Sequence, residues 1–364
     1  VAFFVYFRDF PGSMDNRLQI LTRWVRQFPG FENADPQPVS GDASFRRYFR
    51  VSGRPDQQQP AQPFIVMDAP PAHEDCRPFV RIARHWHNQG IAVPRIIQED
   101  LEQGLLLLED FGDTLMLGAL TESTADTLYH AALDELVLIQ QATPPPDQPL
   151  PPYDAELLDR EMALFPDWLL TEKLGLTLDN SERALLDTTF AFLRESALAQ
   201  PTVTVHRDYH SRNLLVRPGD TLPEIRRPGV IDFQDAVCGP VTYDLVSLLK
   251  DCYINWPTAR IDQWEERFRR QTLAAGLHNA DHDTFHQWFE LMGMQRHLKA
   301  AGIFARLDIR DGKPGYLGDI PRTVCYLVRA SGRQPALRHC HEWLTDRVLP
   351  AIEATIGSVE THQP

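Results

Sequence analysis

Residues 206–213 read His206-Arg207-Asp208-Tyr209-His210-Ser211-Arg212-Asn213, and Gly229-Val230-Ile231-Asp232-Phe233 follows downstream. Asp208 and Asn213 are five apart, and Asp232 comes 24 residues after Asp208. Taken singly, Asp and Asn are ordinary turn and capping residues. In this order and spacing they make a set. Asp208 is a carboxylate in a loop that follows the apolar run Val203-Thr204-Val205. Asn213 and Asp232 are hard oxygen donors, one neutral and one charged, of the kind that hold Mg²⁺. The residues from Pro228 to Phe233 predict a strand, so a sheet is expected to fix Asp232.

Transfer of a γ-phosphoryl group asks for these parts. One group must orient and deprotonate the accepting hydroxyl, and oxygen ligands must hold the Mg²⁺ that neutralises the phosphates. Asp208 suits the first task as catalytic base, and Asn213 and Asp232 suit the second as metal ligands. The spacing is that of a protein-kinase-type catalytic loop and its metal-binding carboxylate.

The chain has 364 residues, enough for two lobes and a sizeable core. Apolar residues make up 43% and charged residues 24%, ordinary for a soluble globular protein. The net charge is −14 and no basic run occurs, which argues against a nucleic-acid partner. ATP remains compatible, because local cations and Mg²⁺ can oppose the mean field. Five scattered cysteines, with no CxxC, predict free thiols in a reducing, cytoplasmic setting. No apolar run approaches the length of a membrane span. Residues 1–13 read as an extension outside the fold and lack the layout of a signal peptide.

The first part alternates small helices and strands. Leu18, Leu21, Trp24, Val25 and Phe28 mark a helix, which Pro29-Gly30 ends. Val39 to Phe45 is a small-residue turn, and Arg46 to Val51 alternates as a strand. Backbone N–H groups around Ser44 could cover phosphates, or the segment could be a plain hairpin. Phe64 to Asp68 is a strand, and Cys76 to Gln89 a helix stopped by Gly90. Val93 to Glu99 reads as an edge strand and Leu105 to Leu108 as a buried one. Its exit, from Glu109 to Phe111, is where an adenine would meet backbone groups.

Helical patterns dominate after residue 120. Thr121 to Ala142 is one, and another begins near Asp154. Asp179 and Glu182 form a capping box before a third. The proline-rich run 143–152 reads as a surface linker. Further helices are expected over Ile261 to Ala275, Thr284 to Leu307, Pro321 to Leu327 and Ala336 to Ile356. The expected class is α+β: a two-lobed protein-kinase-like fold, with a small antiparallel sheet lobe over 14–112 and a larger, mostly helical lobe over 113–364.

His206-Arg207-Asp208 with Asn213, Ile231-Asp232-Phe233 and Tyr243-Asp244-Leu245 resemble the motifs of the aminoglycoside phosphotransferase family, the choline-kinase-like small-molecule kinases. The likeness runs from residue 15 to residue 357. Longer phrases resemble a subgroup, the bacterial anomeric kinases of N-acetylmuramate and N-acetylglucosamine in cell-wall recycling. They are Ser40-Gly41-Asp42-Ala43-Ser44, Arg46-Arg47-Tyr48-Phe49, Met67-Asp68-Ala69-Pro70-Pro71, Asp232-Phe233-Gln234-Asp235-Ala236, Gly302-Ile303-Phe304-Ala305-Arg306-Leu307 and Asp319-Ile320-Pro321-Arg322. The resemblance implies ATP and Mg²⁺ as cofactors and an amino sugar as acceptor, phosphorylated at C1. It also implies that Asp208 is the base, that Asn213 and Asp232 are metal ligands, and that His206 braces the loop. It implies no membrane partner, and a monomer is the default.

One position departs from the pattern. Such kinases place a lysine on the third strand to hold the α- and β-phosphates; here that strand reads Ile65-Val66-Met67-Asp68. Arg46, Arg47 and Arg50 are candidate substitutes, and solvated strand residues are the plain alternative. For the acceptor, Tyr209, His210 and Arg212 lie inside the catalytic loop. Gln234 and Asp235 follow the metal ligand, and Asp235 could ligate metal, bind a sugar hydroxyl or cap the chain. Arg306 could pair with a lactyl carboxylate or with surface acids. Trp256 and Tyr253 could stack on the sugar or belong to the core. Another small-molecule acceptor (an aminoglycoside, choline, homoserine or methylthioribose) is the rival among enzymes. A ligand-binding pseudokinase is the rival outside them, but it would be expected to lack one of the three key polar residues.

Overall fold

The computed structural model describes residues 13–39, 45–56, 58, 60–217, 219–220 and 227–358. The chain divides into two compact units. The first comprises residues up to 114 together with 215–220 and 229–234; the second comprises 115–214, 221–228 and 235 onward.

In the first unit, helix α1 (Ser13–Arg26) precedes strands β1 (Gln37–Pro38), β2 (Arg47–Gly53) and β3 (Gln62–Asp68). Helix α2 (Arg77–Asn88) and strands β4 (Ile96–Asp100) and β5 (Leu105–Glu109) follow. The strands form one antiparallel sheet in the order β1-β2-β3-β5-β4. Alternation in β2 turns Phe49 and Val51 inward. They join Phe64, Val66, Leu105 and Leu107 in a core that Leu21, Trp24 and Val25 of α1 close. Burying each such side chain contributes about 1.5–3 kcal/mol. Helix α2 buries Phe79, Ile82, Ala83 and Trp86, and Phe233 stacks on Phe79 at 4.8 Å. That stack holds the segment just after Asp232.

The second unit is mainly helical. It contains α3 (Met116–Ala119), α4 (Ala125–Gln141), α5 (Ala155–Met162) and α6 (Asn180–Leu198). Strand β6 (Thr202–Val205) leads to the catalytic-loop segment. The chain then runs through β7 (Leu214–Leu215) into the first unit, where its partner β8 (Gly229–Val230) lies, and returns to the second with β9 (Val237–Pro240), which pairs antiparallel with β6. Helices α7 (Tyr243–Leu249), α8 (Thr258–Ala274), α9 (His282–Asp311), α10 (Ile320–Gly332), α11 (Arg338–Trp343) and α12 (Leu349–Thr355) complete it. The two-part α+β architecture, with a small antiparallel sheet and a larger helical region, is the expected one. So is the capping box: Asp179 accepts from Ser181 and Glu182, and Glu182 accepts from the Asp179 N–H.

Several local expectations are corrected. The strand predicted over 228–233 ends at Val230, and Asp232 adopts a positive φ of 65°. The run 143–152 is non-helical and largely exposed, as the linker reading expects, and it is anchored at its far end. Cys238 donates its N–H to the Pro151 carbonyl, and the Tyr153 N–H returns to Cys238. The last helix is broken. A 3₁₀ turn at Pro335–Leu337 and a π-helical stretch at Leu344–Val348 interrupt it. Pro350 follows the π stretch; having no N–H, it denies the carbonyl one turn back its partner and widens the helix. Helix α9 is longer than expected, 30 residues, opened by Asp281 and stopped by Gly312 at φ +64°. Among the described residues no helix is long and apolar enough to cross a membrane. All five cysteines are free.

Gly302 explains how α9 seats itself. A Cβ there would lie 2.3 Å from the backbone carbon of Leu164. Gly302→Ala therefore overpacks a backbone contact and should destabilise by about 1–3 kcal/mol. Urea unfolding checks this; an unchanged midpoint would show that the contact relaxes freely.

Candidate active site

The loop behind β6 is held by a set of directed bonds. The buried carboxylate of Asp244, one residue into α7, accepts from the backbone N–H of His206 at 2.6 Å and of Arg207 at 3.0 Å. Arg207 has a positive φ of 79°, a left-handed conformation rare for a residue with a long side chain. Such a conformation costs about 1–3 kcal/mol and persists only where surroundings over-determine it. Here the Asp244 carboxylate does so from one side. From the other, the Arg207 guanidinium donates to Glu161 at 2.7 Å. Further along, the Asp208 N–H donates to His206 Nδ1 at 3.2 Å. The Asp208 carbonyl accepts from the His210 N–H at 3.0 Å and from Asn213 Nδ2 at 2.9 Å. Fixing the nitrogen of the Asn213 amide also fixes where its oxygen lies. Ser211 donates from both N–H and Oγ to Asp251.

Asp208 sits in a positive environment. Burial opposes its ionisation. Lys299, His210, Arg296 and His206 together outweigh burial and hold the carboxyl down at about 2. Lys299 and Arg296 stand one turn apart on α9, whose stretch from Phe289 to Gly302 is buried throughout. Lys299 is paired with Glu161 at 3.0 Å and donates to the Tyr243 hydroxyl at 3.0 Å. Glu161, on α5, thus receives both Arg207 and Lys299, and Tyr153 donates to it as well. Burial raises the Asp244 carboxyl to about 7, even though its two backbone donors favour the charged form. Burial also lowers His210, against the pull of Asp251 and Asp208.

Other acceptor candidates in this unit divide clearly. Tyr209 belongs to the core: it is fully buried, and its hydroxyl donates to the Ala132 carbonyl at 2.8 Å. Trp256 does too, with its indole N–H on the Tyr129 hydroxyl and its ring against Trp264 and Arg260. His210 packs edge-on to Tyr253, and the Arg212 guanidinium lies 3.6 Å over the Tyr253 ring. Asp235 is exposed, and its carbonyl accepts a long bond from Arg207. Arg306 lies within α9, ten residues beyond Arg296 and so about 15 Å along the axis. Its electrostatic neighbours are Arg310 and Asp311 rather than the loop.

In the first unit, Ser44 lies outside the described residues. The three arginines on or beside β2 each face a carboxylate. Arg46 pairs with Glu74 at 3.3 Å, and Arg50 with Asp110 and Asp113. Arg47 reaches Asp68, its cross-strand partner, which Arg17 also reaches at 2.7 Å. Arg46, one residue before β2 and joined to a glutamate just before α2, places a cation at the start of the strand next to the one where the lysine was sought. Glu109 ends β5 and accepts from the Arg95 N–H at 3.3 Å. Phe111 is buried, with Arg217 over its ring and no room for a Cβ at Gly229. Asp232 accepts from Gln234 Nε2 at 2.7 Å, so Gln234 orients the carboxylate.

Taken separately, Asp232 and Asn213 are each of a kind that magnesium accepts. Asp232 contributes a carboxylate aimed by Gln234, and Asn213 an amide oxygen whose partner nitrogen is anchored. Mg²⁺ in nucleotide enzymes takes one or two such protein oxygens and completes its shell with phosphates and water.

Asp244, Glu161, Arg296 and Lys299 are the residues that sequence reading missed. Asp244 lies in a segment singled out for its likeness but given no role. Charged residues inside a helix as apolar as 291–301 were the available signal for Arg296 and Lys299.

The phosphotransferase enzyme family matches residues 35–286. The chain is 46% identical over 309 residues to the N-acetylmuramate/N-acetylglucosamine kinase of Pseudomonas putida, covering 85% of this chain and 87% of that protein. It is 45% identical to the protein of the same description from Pseudomonas aeruginosa, covering 84% and 87%. Among solved structures, choline kinase from Cryptosporidium parvum superposes with a TM-score of 0.56 at 14% identity, covering 90% of this chain and 99% of that one. That likeness concerns the fold.

Proposed function

The chain belongs to the phosphotransferase enzyme family, and on that footing we propose that it transfers the γ-phosphoryl group of ATP to the anomeric hydroxyl of N-acetylmuramate or N-acetylglucosamine. The product is the sugar 1-phosphate, and the setting is peptidoglycan recycling in the cytoplasm. The observation that carries the reading is Asp208: a carboxylate kept ionised by Lys299, His210, Arg296 and His206, on a loop that Asp244 and Glu161 hold in one conformation. Relatives of 45–46% identity that bear this description support the acceptor.

Asp208 accepts a hydrogen bond from the C1 hydroxyl and so aims its oxygen. The hydroxyl oxygen then forms its bond to γ-phosphorus in line as the bond to the ADP oxygen breaks. The proton passes to Asp208 late, because a carboxylate of such low basicity takes it only once the oxygen has bonded. Asn213 and Asp232 are the residues that would hold Mg²⁺, which when bound neutralises phosphate charge. Arg46, joined to Glu74, is our choice for the cation that meets the α- and β-phosphates. Backbone groups from Glu109 to Phe111 are our choice for the adenine.

The charge around Asp208 speaks against the rival acceptors. A polycationic aminoglycoside or a quaternary ammonium would have to approach Lys299, Arg296 and Arg212. Asp251, the nearby acid, is already engaged by Ser211 and Tyr253. The test is Mg-ATP consumption with product mass, run on N-acetylmuramate, N-acetylglucosamine, glucose, choline and kanamycin. Turnover of the two N-acetyl sugars, abolished by prior reduction of C1, is expected. Turnover restricted to choline or kanamycin would overturn the acceptor class.

A further inference from the structure

We propose that Arg296 and Arg212 form an oxyanion subsite that receives the carboxylate of the acceptor, so that the preferred sugar is one bearing an acid. The inference rests on the sugar-kinase reading above and deepens it.

Arg296 lies in the middle of α9 and is only 7% exposed, yet its Nε has no hydrogen-bond partner and no carboxylate pairs with it among the described residues. Its buried neighbours behave differently. Lys299 is matched by Glu161 and Lys250 by Glu290. A buried guanidinium without a partner is unfavourable unless a ligand supplies the missing anion. The acids within electrostatic reach of Arg296 include Asp208, Asp251 and Asp244, and Asp244 is already engaged by the backbone N–H groups of His206 and Arg207. Asp208 is the reacting group. Asp251 has one oxygen on Ser211 and the other on the Tyr253 N–H.

Arg212 supplies the second cation. Its guanidinium lies flat over Tyr253 and within 6.0 Å of the Tyr316 ring, and no carboxylate pairs with it among the described residues. Stacking leaves the donors at the edge of the planar group directed outward. Both arginines act on the same ring, that of His210, whose Nδ1 is buried without a hydrogen-bond partner. The contacts agree: Arg212 stacks on Tyr253, which His210 meets edge-on, and Arg296 adjoins His297, whose ring bonds the Lys250 carbonyl, so both cations lie against the 250–253 segment.

The surroundings favour an acid-bearing sugar over the transferring phosphoryl group. Tyr253, Phe304 and Tyr316 form an aromatic patch alongside the arginines. A pyranose presents an apolar face to such a patch while its substituent reaches the cations. A phosphoryl group has no apolar face to offer. The planar fork of arginine also suits a carboxylate in two-pronged contact.

The test compares N-acetylmuramate with N-acetylglucosamine, which lacks the lactyl acid, in the wild-type protein and in Arg296→Met. The expected result is a fall of about 10- to 100-fold in the ratio of their kcat/KM values, the effect of losing a charge-assisted bond. Damage through Asp208 would strike both sugars alike and cancel in the ratio. The wild-type protein should show a similar preference for N-acetylmuramate over its lactyl amide. An unchanged ratio in Arg296→Met would overturn the proposal. So would a large equal loss on both sugars, which would assign the cations to the phosphoryl group. Should Arg296→Met fail to fold, Arg296→Lys keeps the charge but not the fork, and a smaller fall in the ratio is then expected. If the wild-type protein turns over neither sugar, the function reading fails first. Calorimetric binding of N-acetylmuramate, lost in the variant, would still support the subsite; equal binding by both proteins would remove it.

Discussion

Asp208→Asn should lower kcat by about a hundred- to ten-thousand-fold, the contribution of a positioned proton acceptor, while Mg-ATP still binds. The amide has the size of the carboxylate and can still accept one hydrogen bond, so the substrate remains in place. It cannot take the proton, and it has no charge to answer Lys299 and Arg296. The loss should persist from about pH 5 to about pH 9, because a carboxyl held at about 2 is ionised throughout that range and no titration can restore what the amide lacks. Steady-state kinetics with nucleotide binding measured separately checks both halves. Near-normal turnover would remove Asp208 from the chemistry. Stability should fall as well. The folded value lies below the ordinary 3.8, so ionised Asp208 stabilises the fold above pH 3.8 and loses that contribution as pH falls through about 2. The variant has lost it at every pH.

Glu161→Gln should cost about 3–5 kcal/mol of stability, the usual result of removing one member of a buried ionic set. Glu161 is 5% exposed and answers two cations, Arg207 and Lys299. Without its charge the buried Lys299 and the half-buried Arg207 both lose the carboxylate that pairs with them directly, and the left-handed Arg207 loses one of the two anchors that hold it. Burial by itself would raise the Glu161 carboxyl. The charges of Lys299 and Arg207 and the Tyr153 hydroxyl together bring it below its ordinary value. Its contribution is therefore present above the ordinary carboxylate range and is lost as pH falls through the lowered value. Denaturant unfolding at pH 7 should show a clear drop, and a smaller one at pH 3. Adding Lys299→Met should restore part of the loss, since one of the stranded charges is then gone. A double variant no better than the single would mean that Glu161 works through Arg207 alone. Activity should fall with stability, because Arg207 precedes Asp208 directly.

How far the chain could be read in advance depended on the range of the interactions. The capping box at Asp179 and Glu182 spans three residues, so its pattern and its physics occupy the same window. Helix α2 announced itself through Phe79, Ile82, Ala83 and Trp86 and its stop at Gly90. Asp208, Asn213 and Asp232 stood out as candidates because phosphoryl transfer restricts which residue types can serve, and the spacing is set by one loop and one hairpin. Where backbone detail mattered, local reading failed. The strand expected to reach Phe233 stops three residues early, because the aspartate turns into the left-handed region and Phe233 is drawn against Phe79. The long C-terminal pattern looked like one helix, since its apolar period continues across Pro350 while its hydrogen bonding does not.

The choice of candidate reacting groups, the two-part α+β architecture and the family are properties of the residue order, because each rests on short-range pattern or on chemistry that few residue types can perform. The electrostatic setting of the reacting group is a different kind of fact. Lys299 comes 91 residues after Asp208 and Glu161 comes 47 before it, and nothing in either neighbourhood names the other. Which arginine beside β2 meets which acid was likewise settled by strand register, as Arg47 opposite Asp68 shows. Charge acts through space and falls with distance, so its effect on Asp208 exists only once α5, α7 and α9 have packed around the loop.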